Sequence, residues 1–276
     1  MESGSNITID DIIKFAKSDG VSLKRIIFFI PIVIIVGWGY ARYPYYEQNI
    51  ALGSVAPCYA HWFGTDQLGR DLFSRVVYAC SISLTIGAIS SCLAVAFGGI
   101  YGIVSGYCGG LIDQLLMRWI DIFYPIPLTL IVILMMILFG QHVSVLFVAI
   151  SSVEWMTTAR IIRAETLKLK ESGYIQVAKG FGESQIRIMS RHIAPNLWHV
   201  LRVCFFVTLP GVILLESFLS FIGLGIQPPR SSLGILIADG AKRIGTYPWE
   251  VIFPSLVMIS VMLIINVYNR RLDRRI

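Results

Sequence analysis

The sequence predicts an all-α, polytopic membrane protein that crosses the bilayer six times. Of its 276 residues, 55% are hydrophobic and only 14% are charged, whereas soluble domains average roughly 25% charged residues. The stretches 76–112 and 122–153 contain no charged side chain, and a helix needs only about 20 apolar residues to cross the hydrocarbon core. Because such runs recur along the chain, they argue against a soluble protein with a large buried core.

The individual spans are delimited by the polar, glycine and proline residues between the apolar runs. Gly106–Gly110 predicts a turn after the second span, because glycine adopts positive φ without steric cost, and residues 140–142 predict another turn. Pro125 and Pro127 remove backbone donors inside the third span, so a kink or break is expected at 124–128. The six predicted spans are 26–43, 76–105, 115–139, 143–162, 197–224 and 251–268.

Two regions are expected along the chain. Residues 1–60 would hold an N-terminal cytoplasmic segment, the first span and the start of an external loop. Residues 61–276 would form the core domain, with five spans and a cytoplasmic loop at about 163–195. The apolar run after Lys24 and Arg25 lacks a small-residue cleavage site, which predicts an uncleaved first span and not a signal peptide.

Lysine and arginine are concentrated in three segments: the N-terminus, residues 160–191 and the C-terminal residues 270–275. Short basic segments are retained in the cytoplasm. Six spans place all three segments on the same side of the membrane. We therefore expect both termini and the 163–195 loop to be cytoplasmic, and residues 44–75 to be external.

The remaining polar composition indicates neither a nucleic-acid partner nor a metal site. The net charge is +6, but the basic residues interrupt apolar spans and do not form one stripe interleaved with aromatic side chains. The cysteines lack a C-x-x-C spacing and read as small hydrophobes. The four histidines, at 61, 142, 192 and 199, do not share a spacing typical of metal ligands.

The stretch FGTDQLGRDLFSR, residues 63–75, has the G-x-x-x-x-G spacing of a phosphate-binding loop. Such a loop needs a lysine and then Ser or Thr after the second glycine, and here Arg70 and Asp71 stand in those places. The stretch would also lie outside, away from cytoplasmic ATP, so no nucleotide site is predicted. Asp66, Arg70, Asp71 and Arg75 recur at spacings that favour charge pairs on a helix; receiving an external protein is the alternative.

The segment 171–196 is amphipathic and contains two breaks. Apolar residues recur at near-helical spacing up to Phe181, glycine occupies 180 and 182, and a second apolar pattern continues to Pro195. This predicts a short helix, a glycine-hinged turn and a second helix that leads to the membrane. One interpretation is a helix that lies on the membrane surface; the other is docking into a groove of a soluble partner.

This segment resembles the cytoplasmic loop of permease subunits of ATP-binding-cassette importers, whose pattern is E-A-A, three residues, Gly and later Leu-Pro. The match is Gln176-Val177-Ala178, then Gly182, then Ala194-Pro195, with Gln, Val and Ala in place of Glu, Ala and Leu. The segments 61–87, 106–127, 216–229 and 233–240 resemble the second permease of the dipeptide, oligopeptide and nickel importers. Together these matches cover most of residues 61–265.

The resemblance implies an importer permease fold in the bacterial inner membrane and a chain that is not an enzyme. The implied partners are a second, similar permease, two cytoplasmic ATPases that bind ATP and magnesium, an external substrate-binding protein and the lipid bilayer, with no cofactor on this chain. The cargo would be peptides or similar small solutes, including nickel or another metal chelate. The implied docking residues in the loop are Tyr174, Gln176, Val177, Ala178, Lys179, Gly182 and Pro195.

Glu154 and Glu216 lie well inside predicted spans, where an ionised group costs about 2.5–3.5 kcal/mol on an insertion scale. Glu216, and with less support Glu154, would either line the translocation path or contact a neighbouring helix. The alternative function is a secondary transporter or channel driven by an ion gradient. That class uses a relay of intramembrane ionisable residues and needs no docking loop, whereas this chain has few such residues and a conspicuous loop.

Overall fold

A computed structural model describes residues 43–227 and 230–273, and the regular elements within these ranges are helices. The all-α prediction is confirmed, while the first predicted span, 26–43, lies outside the described residues except for its last one. The helices are α1 Leu72–Cys108, α2 Gly110–Phe123, α3 Leu128–Phe139, α4 Val143–Lys170, α5 Gly173–Gly180, α6 Gln185–Phe221, α7 Leu233–Ala241 and α8 Trp249–Asp273.

Among the described residues, four helices are long and apolar enough to cross a membrane. They contain the second, fourth, fifth and sixth predicted spans. α1 has 37 residues and is therefore about 55 Å long, well beyond the roughly 30 Å of the hydrocarbon core. The four segments are Leu72–Cys108, Val143–Lys170, Gln185–Phe221 and Trp249–Arg270.

α1 packs most extensively against α4. From Gly98 to Gly106, every fourth residue of α1 is glycine, and each of these glycines faces a backbone carbonyl of α4. A Cβ added to Gly102 would lie 2.6 Å from the Ala159 carbonyl oxygen. Small residues let two helix backbones approach closely in a membrane, so this stripe fixes the central helix pair of the fold. The facing pairs are Gly98 with Trp155, Gly102 with Ala159 and Gly106 with Arg163.

The predicted third span, 115–139, is two helices and not one. α2 ends at Phe123 and α3 begins at Leu128, so the break expected at 124–128 is confirmed. Pro125 and Pro127 supply no N–H to continue the helix. α3 nevertheless belongs to the core, because Val132 and Met136 are completely buried against α4.

The helix that contains the fifth predicted span is longer than expected. α6 begins at Gln185 and runs through Pro195 to Phe221. A π-helical turn at Ile188–Ile193 precedes the proline, and the Ala194 N–H donates to the Met189 carbonyl at its end. The wider turn accommodates a residue that has no N–H to donate, so Pro195 shifts the hydrogen bonding without ending the helix.

The stretch 225–248 is not a continuous loop, because α7 occupies Leu233–Ala241. α7 packs on α8 and α6. A Cβ on Gly234 would collide with the Ser217 carbonyl of α6, so glycine at this position permits the close contact. Leu233 and Leu236 are buried in the cluster formed by the first part of α1, α6 and α8.

Candidate docking site

The short helix α5 is attached to the body of the protein by one face. Ile175 is 0% exposed and Ala178 is 8% exposed. Both contact an apolar cluster at the ends of α1, α4 and α6, so α5 has a fixed base. The buried members of this cluster are Ile103, Tyr107, Ile162, Ile175, Ala178, Ile188, Ile193 and Leu197.

The opposite face of α5 is apolar and exposed. Val177 is 57% exposed and Phe181 is 85% exposed, and Tyr174 precedes them at helical spacing on the same face. Ile186, at the start of α6, is 76% exposed. A contiguous apolar surface of this kind marks an interaction site in a folded protein. We call Tyr174, Val177, Phe181 and Ile186 the docking face.

The end of α5 is a tight glycine turn. The Gly182 N–H donates to the Lys179 carbonyl at 3.0 Å, and the Glu183 N–H donates to the Ala178 carbonyl at 3.2 Å. Gly182 has φ +76°, which glycine adopts without penalty at a helix C-terminus. This confirms the predicted order of short helix, glycine turn and second helix, and it fixes the direction in which α6 leaves the turn.

The docking residues expected from the sequence do not all lie on the exposed face. Ala178 is 8% exposed and packs into the apolar cluster beneath α5, so it lies on the attached face. The helical period shows which residues of α5 share a face. It does not show which face is buried, because both faces are apolar. Gln176 is exposed, and its Nε2 donates to the Lys170 carbonyl at 3.0 Å. The Lys179 ammonium lies 5.4 Å from the centre of the Tyr107 ring.

A second set of polar residues forms a paired network at the starts of α1 and α8, which we call the polar cap. Asp66 Oδ2 accepts hydrogen bonds from Arg70 Nε at 2.7 Å and from Arg75. Its Oδ1 accepts the Arg70 backbone N–H at 3.0 Å. Glu250 accepts from Ser54 Oγ at 3.0 Å and from Arg243. The polar cap comprises Ser54, His61, Asp66, Arg70, Asp71, Ser74, Arg75, Arg243 and Glu250.

The charge pairs of the polar cap are internal, but they do not lie on a helix as their spacing suggested. α1 begins only at Leu72, and Asp71 is its N-cap. Asp71 Oδ2 accepts the Ser74 N–H at 2.8 Å, and its Oδ1 lies 2.9 Å from His61 Nδ1. An N-cap aspartate satisfies a free N–H at the helix start. Asp71, which departs from the phosphate-loop motif, therefore caps the start of α1.

The two glycines of that motif pack against the chain itself. Gly64 and Gly69 have φ of +79° and +66°. A Cβ on Gly69 would collide with the Asn49 carbonyl, and one on Gly64 would lie 2.5 Å from the Val55 carbonyl oxygen. Carbonyl oxygens would repel a phosphate, so the loop is a structural turn of the polar cap.

Glu216 is completely buried between helices of this chain. Its carboxylate accepts hydrogen bonds from Ser220 Oγ at 2.7 Å and from Ser83 Oγ of α1 at 3.0 Å. Ser83 Oγ also accepts the Leu233 N–H at 3.2 Å, which links α7 to the same group. Glu216 thus joins three helices through serine hydroxyls.

Glu154 differs from Glu216 in both exposure and partners. It lies in the middle of α4 and is half-buried. No hydrogen bond or ion pair from another described residue reaches its carboxylate. An ionised group at membrane depth needs water or a partner, and the described residues supply no partner to Glu154.

An ion pair that the sequence analysis missed ties α2 to α4. Asp113 accepts from Arg163 Nε and Nη2, each at 2.5 Å, and from Ser105 Oγ at 2.5 Å. The hydrogen bonds from Arg163 hold the pKa of Asp113 below its usual range. The partners are 50 residues apart in sequence, so no local pattern could have revealed them.

Comparison with known proteins gives both sequence relatives and a similar fold. The family model described as "Binding-protein-dependent transport system inner membrane component" matches residues 98–276. The chain is 38% identical over 254 residues to the oligopeptide transport system permease protein OppC of Haemophilus influenzae, covering 91% of this chain and 82% of the relative. It is 37% identical over 243 residues to the dipeptide transport system permease protein DppC of Bacillus subtilis, covering 88% and 76%.

The fold is similar to that of a solved transporter. An inward-facing conformation of the MetNI methionine ABC transporter matches with a TM-score of 0.60 at 14% identity, over 72% of this chain and 95% of the other. At that identity the likeness concerns the fold alone. The sequence matches establish that the chain belongs to the family of inner membrane components of binding-protein-dependent transport systems, as a permease subunit.

Proposed function

We propose that this permease moves peptides or similar small solutes across the bacterial inner membrane, driven by a separate ATPase that docks on the 163–195 loop. The observation that carries the proposal is the docking face, an exposed apolar surface on a helix whose other side is buried in the protein. An amphipathic helix presented in this way suits a hydrophobic groove on a soluble partner. Movement of that partner would then be transmitted to the spans.

The proposed complex contains a second, similar permease, two ATPase subunits and an external substrate-binding protein. In this proposal ATP and magnesium bind only to the ATPases, and this chain carries out no chemistry and binds no cofactor. The G-x-x-x-x-G stretch supports this division, because its glycines face backbone carbonyls of the chain. The 163–195 loop would lie in the cytoplasm together with both termini, in accordance with the basic residues near it.

The cargo class rests on the relatives, which are named as oligopeptide and dipeptide permeases. Nickel or another metal chelate belongs to the same proposal. Glu154 is our candidate for contact with the translocation path or with the second permease, because its carboxylate lacks a partner among the described residues. We propose that Glu216 serves helix packing, which is supported by the three helices of this chain that meet at its carboxylate.

The test is to purify the tagged permease in mild detergent together with the proteins encoded beside it. We expect a second permease and an ATPase to be recovered with the wild-type chain, and the ATPase to be lost with Phe181→Asp. Proteoliposomes that hold the chain alone then test the alternative. Solute uptake driven by a proton or sodium gradient, without nucleotide, would overturn the proposal in favour of a secondary transporter.

A further inference from the structure

We infer that Glu183 and His192 form a clamp that makes α5 and α6 move as one body. The inference rests on the proposed function, because it concerns how movement of a docked ATPase reaches the spans. Glu183 Oε2 lies 2.8 Å from His192 Nε2. The pair joins the turn after α5 directly to α6, nine residues further along the chain.

Each partner of the clamp is fixed to a different element. The Glu183 N–H donates to the Ala178 carbonyl at 3.2 Å, so its backbone belongs to the end of α5. His192 lies in the π-helical turn Ile188–Ile193. Its carbonyl accepts from Asn196 Nδ2 at 2.6 Å, and the same amide group lies 3.2 Å from the Tyr174 hydroxyl. The bond between Glu183 and His192 therefore connects the two elements.

Without this bond, the connection between docking face and span contains two compliant points. Gly182 has φ +76° and open space where a Cβ would lie, so the turn is held by its backbone hydrogen bonds and not by side-chain packing at this residue. The π-helical turn before Pro195 is the second point, because the proline supplies no N–H to the helix. The clamp spans the segment between these two points, because Glu183 directly follows Gly182 and His192 lies within the π-helical turn.

The other contacts between α5 and α6 do not replace the clamp. Apart from the exposed hydrogen bond that Asn196 Nδ2 donates to the Tyr174 hydroxyl at 3.2 Å, they are apolar, with Ile175 and Ala178 against Ile188 and Ile193. Apolar burial is non-directional, so it holds α5 near α6 without fixing its angle. A hydrogen bond has a preferred distance and angle. The clamp is thus placed to set the angle at which the docking face is held, and its partners act as positioning residues.

The experiment uses the complete complex in proteoliposomes with the external binding protein and a mixture of radiolabelled di- and pentapeptides. Three quantities are measured: ATPase binding, ATP hydrolysis and peptide taken up per ATP hydrolysed. We expect His192→Ala and Glu183→Ala each to lower the uptake per ATP at least about fivefold, the lower end of typical allosteric coupling. ATPase binding should remain, because the docking face is unchanged.

Two further variants separate positioning from general damage. The double variant Glu183→Ala with His192→Ala should be no worse than either single change, since both remove the same bond. His192→Gln should recover most of the coupling, because its amide N–H can reach the same carboxylate. The matched control is Lys242→Ala, which breaks the exposed pair with Asp239 at the end of α7 and should leave uptake per ATP unchanged.

The inference is overturned if the single variants keep the wild-type uptake per ATP, if their effects add in the double variant, or if His192→Gln is as impaired as His192→Ala. Failure of the proposed function looks different. In that case the wild-type chain would bind no ATPase, whatever residues occupy 183 and 192.

Discussion

The polar cap and the docking loop, residues 163–195, differ in which side chains they bury. In the polar cap, charged groups are buried and paired within the chain: Asp66 is 4% exposed and Arg75 is 6% exposed, and they bond to each other. In the docking loop, a large apolar side chain such as Phe181 is left 85% exposed. The polar cap pairs its charged groups within the chain, whereas the docking loop leaves a large apolar side chain without a covering contact from the described residues.

This difference separates residues that hold the fold from residues that meet a partner. A buried ion pair loses much of its stabilisation when one member is removed, because the other charge stays buried and unpaired. An exposed apolar side chain contributes little to the isolated chain, and its removal matters when a partner covers it. Substitutions in the two regions should therefore change different measured quantities.

The largest effect is expected for Asp66→Ala. It leaves the Arg70 and Arg75 guanidinium groups without their shared carboxylate, at a cost of about 3–5 kcal/mol in the free energy of unfolding. Thermal unfolding of the purified permease complex in detergent measures the loss. The control is Lys242→Ala, whose ammonium is 77% exposed and 3.9 Å from Asp239. An equal loss in the control would remove the distinction between buried and exposed pairs.

Glu216→Ala tests whether a buried carboxylate in a span belongs to the fold. The substitution leaves the Ser83 and Ser220 hydroxyls without their acceptor, so we expect destabilisation by about 1–3 kcal/mol in the same thermal assay. Glu216→Gln keeps an acceptor oxygen and should retain most of the stability and the peptide uptake. If Glu216→Gln were stable yet abolished uptake, Glu216 would act in the translocation path and not in packing.

Val177→Asp and Ala178→Asp compare the two faces of α5 directly. Val177 is exposed, so its substitution should leave the unfolding temperature unchanged and weaken ATPase binding by about 30-fold, as for a hot spot worth about 2 kcal/mol. Ala178 is buried, so an aspartate there should destabilise the loop by about 1–3 kcal/mol. Titration with purified ATPase and thermal unfolding provide the two measurements. Identical behaviour of the variants would contradict the assignment of faces.

The smallest effect is expected for Lys168→Ala. The Lys168 ammonium is 71% exposed and pairs with Glu165 within α4 at 2.7 Å. Exposed pairs of this kind contribute about 0–1 kcal/mol, so unfolding and ATPase binding should both remain within error of the wild type. A clear loss of ATPase binding would extend the docking face onto the end of α4.

Much of the fold could be predicted because the length of an apolar run and the position of a proline determine the helices locally. The uncharged runs predicted the apolar parts of α1 and α4. Pro125 and Pro127 predicted the break between α2 and α3. The glycine turn at 182 was predictable because a Gly after an amphipathic run is typical of a helix end. Each of these features depends on a few neighbouring residues.

The features that sequence reasoning missed depend on distant contacts. α7 lies between proline- and glycine-containing segments and is held by its packing on α6 and α8, so its sequence alone resembles a loop. Ala178 could not be assigned to the inner face, because the partner of that face is built from α1, α4 and α6. The continuation of α6 past Pro195 depends on a π-helical turn, which no pattern in the sequence predicts.

The most direct test of the docking face is cysteine accessibility at residue 181. The five native cysteines are replaced by serine, Phe181→Cys is introduced, and inside-out membrane vesicles are treated with a membrane-impermeant maleimide. The account predicts rapid labelling of the permease pair alone and strong protection once the ATPase subunits are bound. Labelling from the external side of intact cells, or equal labelling with and without the ATPase, would contradict it.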